Sequence, residues 1–292
     1  MHVLLLSGGA FKGAVQIASI RALLNEMGRL PDEIRGTSVG AVNGVMVAQN
    51  RIDELVEIWT ALDDPNPING VRGFLRATPL AKDGFWSLDP LREQLVEREV
   101  KTQKLRTRFG AGIWLPESDL HVVPTWTSQG PDNHRVELED GVLASAAICG
   151  MFAGIPVTWN AARSIAGDGG HEHVCPPVPS WVKPGDRVDA IFCHPLEPGV
   201  IMHTAKQVDG RIERLLLAAD KGTHAPARGD FETLKALAAS GVDVRVRAPR
   251  QDPGPMLDAS RATIARRLHV IGEEMAREPI WTTANGATPR ES

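Results

Sequence analysis

Ser38 stands in the run Arg35-Gly36-Thr37-Ser38-Val39-Gly40, with a glycine two positions to either side. That G-x-S-x-G spacing suits a strand–elbow–helix, where Gly36 and Gly40 remove side chains that would collide around a serine on a strained turn. A serine hydroxyl becomes a useful nucleophile only when a base takes its proton. The same residues also make a plain tight turn, so their surroundings must decide. Upstream lies Ser7-Gly8-Gly9-Ala10-Phe11-Lys12-Gly13. Ala10 breaks the dinucleotide-binding G-x-G-x-x-G pattern, and Gly13 after Lys12 breaks a phosphate-binding P-loop. What survives is a strand, a glycine turn and a helix start. Its amides lack intrahelical partners and suit an anion, either a phosphate or the oxyanion of a tetrahedral intermediate. The Val39 amide, at the start of the helix after Ser38, is a further oxyanion donor. A ligand-free strand-to-helix connection is the simpler use of the same loop.

The base is not an obvious histidine. A Ser–Asp/Glu–His hydrolase usually builds several strands before its elbow, and here the elbow follows a single β–α unit. His121 and His134 precede every promising acid, while His171, His173, His194, His203, His224 and His269 have no diagnostic context. The acid with a context is Asp168, between Gly167 and Gly169-Gly170, in a turn stripped of side chains; an ordinary Asp-Gly turn is the alternative. His171, His173 and Cys175 alternate and would share one face of a strand. No fourth ligand accompanies them, and packing or surface roles are expected. No metal is expected. The chain has no tyrosine, so a tyrosine acid or oxyanion donor is excluded.

These residues need elements to hold them. His2–Leu6 is an apolar run fit for a buried parallel strand. Residues 14–28 repeat apolar positions at helical spacing up to Gly28. A short strand is expected over 32–36, a small-residue helix after Gly40 and an amphipathic helix over 52–62. Residues 63–88, rich in Pro and Gly with Phe74, Phe85 and Trp86, read as a lid or lipid-facing segment, or as a loop anchored by its aromatics. A helix capped at Ser87 or Asp89 follows, with Pro90 in its first turn. Strand-like runs occupy 109–115, 119–127 (irregular at Pro124) and 133–138; a small-residue helix then ends at Gly150. Residues 151–185 read as irregular. A core strand at 187–195, helices over 211–222 and 231–241, a strand at 242–249 and a helix over 260–276 complete the pattern. Alternating strands and helices imply a mostly parallel sheet covered on both faces. One domain over 1–281 is expected, with a frayed tail over 282–292.

Bulk properties narrow the class. The 292 residues are 42% hydrophobic and 23% charged, ordinary for a globular chain able to bury a large core. A net charge of −4 provides no basic field for nucleic acid and none for tight adhesion to anionic lipid, though a local basic face stays open. Cys149, Cys175 and Cys193 are odd in number and widely spaced, which fits a reducing cytosol rather than a disulfide framework. No signal-peptide or spanning segment is read from the sequence, so a cytoplasmic protein is expected.

In order, SGGAFKG, GTSVG, ASAAICGMF and DGG resemble the conserved blocks of the patatin-like phospholipase family, from Ser7 to Gly170. FETLKALAASGVDVRVRAP looks like its later half. The resemblance implies a dyad, with Ser38 as nucleophile and Asp168 as general base. It implies an oxyanion hole from backbone amides of Gly8, Gly9 and Ala10, supported by Lys12, Gly13, Gly36, Gly40, Gly169 and Gly170. It also implies a three-layer α/β/α sandwich and hydrolysis of acyl esters in lipids, without metal or organic cofactor and with transient contact at membrane surfaces. Two departures stand out. Ala10 replaces the usual third glycine, and Val174-Cys175-Pro176 stands where members often carry an asparagine shortly before a proline. A non-catalytic lipid- or protein-binding module and a small-ester esterase with a Ser-His-Asp triad are the other readings.

Overall fold

The computed structural model describes residues 1–62, 88–132, 134–197, 218 and 220–284. His2–Leu6 forms β1, buried along its whole length, as an unbroken apolar run requires of a strand covered on both faces. Its side chains alternate between two cores, Leu4 and Leu6 entering one and Val3 and Leu5 the other. β2 (Glu33–Thr37) and β9 (Arg187–Ile191) flank β1 in parallel. β3 (Arg108–Leu115) lies beyond β2 and β10 (Asp243–Arg247) beyond β9, again parallel. Antiparallel strands extend this centre: β11 (Trp281–Thr282) on β10, and β5 (Thr125–Thr127) then β6 (Gly130–Pro131) beyond β3. β4 (Leu120–Val122) and β8 (Ala162–Asp168) pair with the C-terminal half of β3, and β7 (Ile155–Trp159) pairs with β8.

Helices cover both faces of this mixed, mostly parallel sheet. The Leu4/Leu6 core collects α1 (Gln16–Met27), α2 (Val39–Ala48), α3 (Ile52–Ala61), α4 (Asp89–Glu97) and α5 (Leu138–Ala146). It also takes in α7, residues 261–277, which contains a π turn at Arg267–Ile271. The Val3/Leu5 core is covered by α6 (His224–Ala239) through Ala227, Leu234 and Ala238. The mostly parallel sheet covered on both faces, expected from the alternation of elements, and the α/β/α sandwich implied by the resemblance are therefore the observed class. The carboxyl ends of β1, β2 and β9 meet at one edge, where the strand order reverses on either side of β1. Such an edge is where open parallel sheets place their ligands.

Several local expectations change. Residues 151–185 are not wholly irregular, since they contain the β7–β8 hairpin. Residues 134–137 form no strand: Val136 is buried, and its carbonyl accepts the Trp126 indole N–H at 2.8 Å while the chain turns into α5. Thr282 is no frayed end, because it pairs with Arg245, and Thr283 N–H donates to the Val244 carbonyl at 2.9 Å. α4 is preceded by Leu88, which offers no side-chain cap, and Asp89 lies in its first turn, while the alternative cap Ser87 lies outside the described residues. Residues 63–87, most of the expected 211–222 helix and the tail from 285 lie outside the described residues.

Candidate active site

β2 ends at Thr37 and α2 begins at Val39, so Ser38 alone makes the elbow. Its backbone, φ 55 and ψ −126, lies where residues with side chains rarely go. The approach is tight enough to exclude other residues nearby. A Cβ at Gly36 would lie 2.1 Å from the Gly40 carbonyl oxygen, and one at Gly40 would lie 2.2 Å from the Leu6 carbonyl oxygen. The strained backbone is held from outside. Ser38 N–H donates to Ser145 Oγ at 2.9 Å, and the Ser145 hydroxyl donates to the Gly112 carbonyl at 2.6 Å. One serine of α5 thus ties the elbow to β3.

Asp168 reaches the elbow from the end of β8, where it pairs with Ile113 of β3, and its N–H donates to the Ala147 carbonyl at 2.9 Å. Its carboxylate accepts the Gly170 N–H at 2.7 Å, capping a 3₁₀ turn at Gly169–His171, and the Ser38 hydroxyl lies close enough to favour its charged form. Gly169 lets this turn press on β3, since a Cβ there would lie 2.6 Å from the Gly112 backbone. Burial pushes the Asp168 pKa up to about 7, against Ser38 and the Gly170 N–H, which favour its charge. Among the described residues no histidine bonds Ser38 or Asp168. His171 packs at a tilt against Trp114, ring centroids 4.4 Å apart, whereas His173 Nδ1 bonds Asp230 Oδ1 at 2.8 Å. Cys175 N–H donates to Asp230 Oδ2 at 2.8 Å. The chain at 171–175 is a turn and loop, so these three residues do not share a strand face as their alternation suggested.

The glycine loop comes off β1 and tightens into a 3₁₀ turn at Ala10–Val15. Gly8 sits against the nucleophile elbow, where a Cβ would be 3.1 Å from Ser38 Cβ. Its N–H, however, donates to the Val174 carbonyl at 2.8 Å and is not free for an oxyanion. Phe11 N–H goes to the Met256 carbonyl at 2.9 Å and Lys12 N–H to Gly9 O at 3.0 Å. Among the described residues the amides of Gly9, Ala10 and Val39 have no hydrogen-bond partner. Ala10 adopts φ 47, so the alanine that replaces glycine carries backbone strain. Gly13 lies under Val39, 2.4 Å from Val39 Cγ2 for an added Cβ. Lys12 is fully buried and paired with Asp220.

Sequence reading missed the residues that frame this loop. Gln16 Nε2 donates to the carbonyls of Ser7 (3.0 Å) and Ile191 (3.1 Å). Asn43 Nδ2 donates to Gly13 O at 3.1 Å and Gln16 Oε1 at 2.9 Å, and the Trp59 indole donates to Asn43 Oδ1 at 3.0 Å. The available signal was a lone amide inside each of two apolar helical runs, AVQIASI and GAVNGVMVA, because a buried amide needs partners.

Ser38 and Ala10 line two cavities at once. One, of about 360 Å³, runs among α2, α3 and α4 and is walled by Val42, Met46, Leu55, Trp59, Leu91 and Leu95. The other, of about 230 Å³, includes Gly9, Asp168, His171, Cys149 and Thr223. A ligand with its reacting carbon at Ser38 would place an apolar arm in the first and a smaller group in the second.

An α/β/α sandwich with a serine elbow at the carboxyl edge of its parallel strands, and a buried carboxylate against that serine, is the class these features define. Residues 4–179 match the patatin-like phospholipase model, and the chain belongs to that family, one of lipid acyl hydrolases. Among solved structures it is similar to VipD from Legionella pneumophila, with 14% identity and a TM-score of 0.42 over 94% of this chain and 66% of that one. It is also similar to the type III effector protein ExoU, with 10% identity and a TM-score of 0.39 over 94% of this chain and 52% of that one. The chain therefore spans just under two-thirds of VipD and about half of ExoU. A comparison with curated proteins gave no match. Among the described residues no helix is long and apolar enough to cross a membrane.

Proposed function

We propose that this protein hydrolyses acyl esters of lipids, with Ser38 as nucleophile and Asp168 as its general base. The observation that carries this reading is the buried Asp168 carboxyl, facing the Ser38 side chain across one cavity and lifted to a pKa of about 7. A carboxylate of ordinary acidity is a weak base for a serine, whereas one poised near neutrality transfers protons efficiently. Asp168 takes the hydroxyl proton as Ser38 Oγ attacks the ester carbonyl. The amides of Gly9, Ala10 and Val39 receive the oxyanion, and Asp168 returns the proton to the departing alcohol. Water, deprotonated by the same carboxylate, then releases the acid. The apolar cavity takes the acyl chain and the smaller cavity the leaving group. The cycle needs only water and this chain's own groups, with residues 1–283 acting as one unit in the cytoplasm and meeting lipid at its surface.

A fluorophosphonate probe and an ester panel test the assignment. The wild-type protein is expected to take the label at Ser38, and Ser38→Ala to lose both label and turnover. Asp168→Asn is expected to lose about 10²–10⁴-fold in turnover. Replacing His171, which lines the smaller cavity, leaves turnover essentially unchanged under a dyad and removes it under a histidine triad. Full activity in Asp168→Asn would overturn the proposal.

A further inference from the structure

The Lys12 side chain is fully buried, a costly place for an ammonium unless its charge is met. It donates to Asp220 Oδ1 at 2.6 Å, a partner 208 residues away in sequence. Asp220 is anchored in turn by Thr223, whose hydroxyl donates to the Asp220 carbonyl at 2.7 Å and lies 3.0 Å from His194 Nε2. Because the hydroxyl's single hydrogen goes to that carbonyl, His194 Nε2 is the donor to Thr223. His194 then returns to the glycine loop, where a Cβ on Gly9 would lie 3.3 Å from His194 Cε1 and 2.5 Å from Cys193 Cβ. Lys12 N–H closes the circuit on Gly9 O at 3.0 Å. A ring of contacts therefore runs from Gly9 through Lys12, Asp220, Thr223 and His194 back to Gly9. Within it sit Gly9 and Ala10, whose amides have no partner among the described residues, and Ala10 is strained at φ 47. Strained backbone keeps one geometry only where its surroundings over-determine it.

We propose that Lys12 and Asp220 are positioning residues, a buried charged brace that holds the Gly9 and Ala10 amides toward Ser38. The inference rests on the hydrolase reading given above. A divalent metal does not suit the same seat, although among the described residues His194, Asp220 and His224 offer ligand atoms within 4.8 Å of one another. Lys12 already occupies the carboxylate, and the buried Arg267 guanidinium adds positive charge nearby. Two further charges beside a single carboxylate would be left without compensation. The ring balances as it stands. Burial lowers the His194 pKa to about 4, leaving it neutral. Burial also disfavours the charged Asp220, but the nearby His194, its Nε2 3.7 Å away, and Lys12 outweigh it and hold the carboxylate at about 2. One ammonium meets one carboxylate.

The test compares Lys12→Met, Lys12→Arg, Asp220→Asn and the double variant Lys12→Met/Asp220→Asn. It reads kcat and KM on a monomeric ester, the thermal midpoint, and exchange of the Phe11 and Lys12 amides. Loss of a whole oxyanion donor costs about 10²–10³ in kcat, so a displaced loop is expected to cost at least about tenfold, with KM little changed. Lys12→Arg recovers part of that loss. Each neutral single variant loses thermal stability because it strands a buried charge, and the double variant regains it without regaining kcat. Asp220→Asn is expected to speed exchange at Phe11 and Lys12 despite its distance in sequence. Wild-type kcat and exchange in the double variant would overturn the brace. Should the wild-type protein neither hydrolyse esters nor take the fluorophosphonate, the functional reading fails by itself. Exchange at Phe11 and Lys12 still decides the brace: faster in Asp220→Asn supports it, unchanged refutes it.

Discussion

Asp168 combines two roles that pull stability and chemistry apart. Buried beside Ser38, its carboxyl is raised by desolvation to a pKa of about 7, so activity should climb through neutrality as the base ionises and fall away on the acid side. The same shift predicts a stability effect of definite sign. A carboxyl whose folded pKa exceeds its unfolded value binds more protons when folded, so its contribution falls as pH rises from about 4 to about 7. Three units correspond to roughly 4 kcal/mol at the high-pH end. Asp168→Asn should therefore be more stable than wild type at pH 8, by a few kcal/mol in urea denaturation, with the gap shrinking toward pH 4. A constant gap across that range would show that the Asp168 pKa is not raised by folding. Ala10 makes a second, smaller case. Left-handed backbone costs an alanine about 1–2 kcal/mol, and glycine's extra unfolded freedom returns about 0.4–1 of it. Ala10→Gly should thus raise the thermal midpoint modestly; a lower midpoint would mean that the Ala10 methyl packs more strongly than its φ of 47 strains it.

The elbow belongs to β2, α2 and the α5 serine that ties them. Ser145→Ala would strip a partner from Ser38 N–H and from the Gly112 carbonyl, both buried beneath the nucleophile. An unsatisfied buried polar group costs about 1–3 kcal/mol, so both thermal midpoint and kcat should drop, with the serine still present to label slowly. Unchanged kcat would mean that the glycine contacts alone hold the elbow. Much of this element was legible: the glycines at 36 and 40 marked the turn, and the apolar runs marked β1, α1 and α2. Ser145 was not, because a serine in a small-residue helix carries no sign of which distant N–H it meets. The β7–β8 hairpin was hidden for a different reason. Its two-residue turn is Asn160-Ala161, with φ of 48 and 65, where the usual signal would be Asn-Gly. Pro156 in β7 further masked the strand, as an edge position tolerates proline.

The sheet brings four distant stretches to one edge: the glycine loop after β1, Ser38 after β2, Asp168 at the end of β8, and the Asp220–Thr223 segment before α6. The pairing of Ser38 with Asp168 came from the resemblance of the ordered motifs to the patatin-like family, because each glycine-marked turn taken alone has a plain structural use. It could not join Lys12 to Asp220, a contact between single charged residues of the kind any surface carries. Nor could it place the apolar cavity, which exists only because α2, α3 and α4 pack around Ser38 on one face of the sheet. That cavity gives the substrate reading its sharpest consequence. Val42 lies one helical turn beyond Ser38 and lines it, so Val42→Phe would fill the space nearest the nucleophile. Each methylene buried is worth about 0.8 kcal/mol, so excluding three of them costs roughly 2.4 kcal/mol, or about fifty-fold. Turnover of a dodecanoate ester should fall by that order in kcat/KM, while a butanoate ester, too short to need the space, keeps most of its rate. Equal losses on both esters would place the damage in the elbow and leave the acyl chain to some other surface.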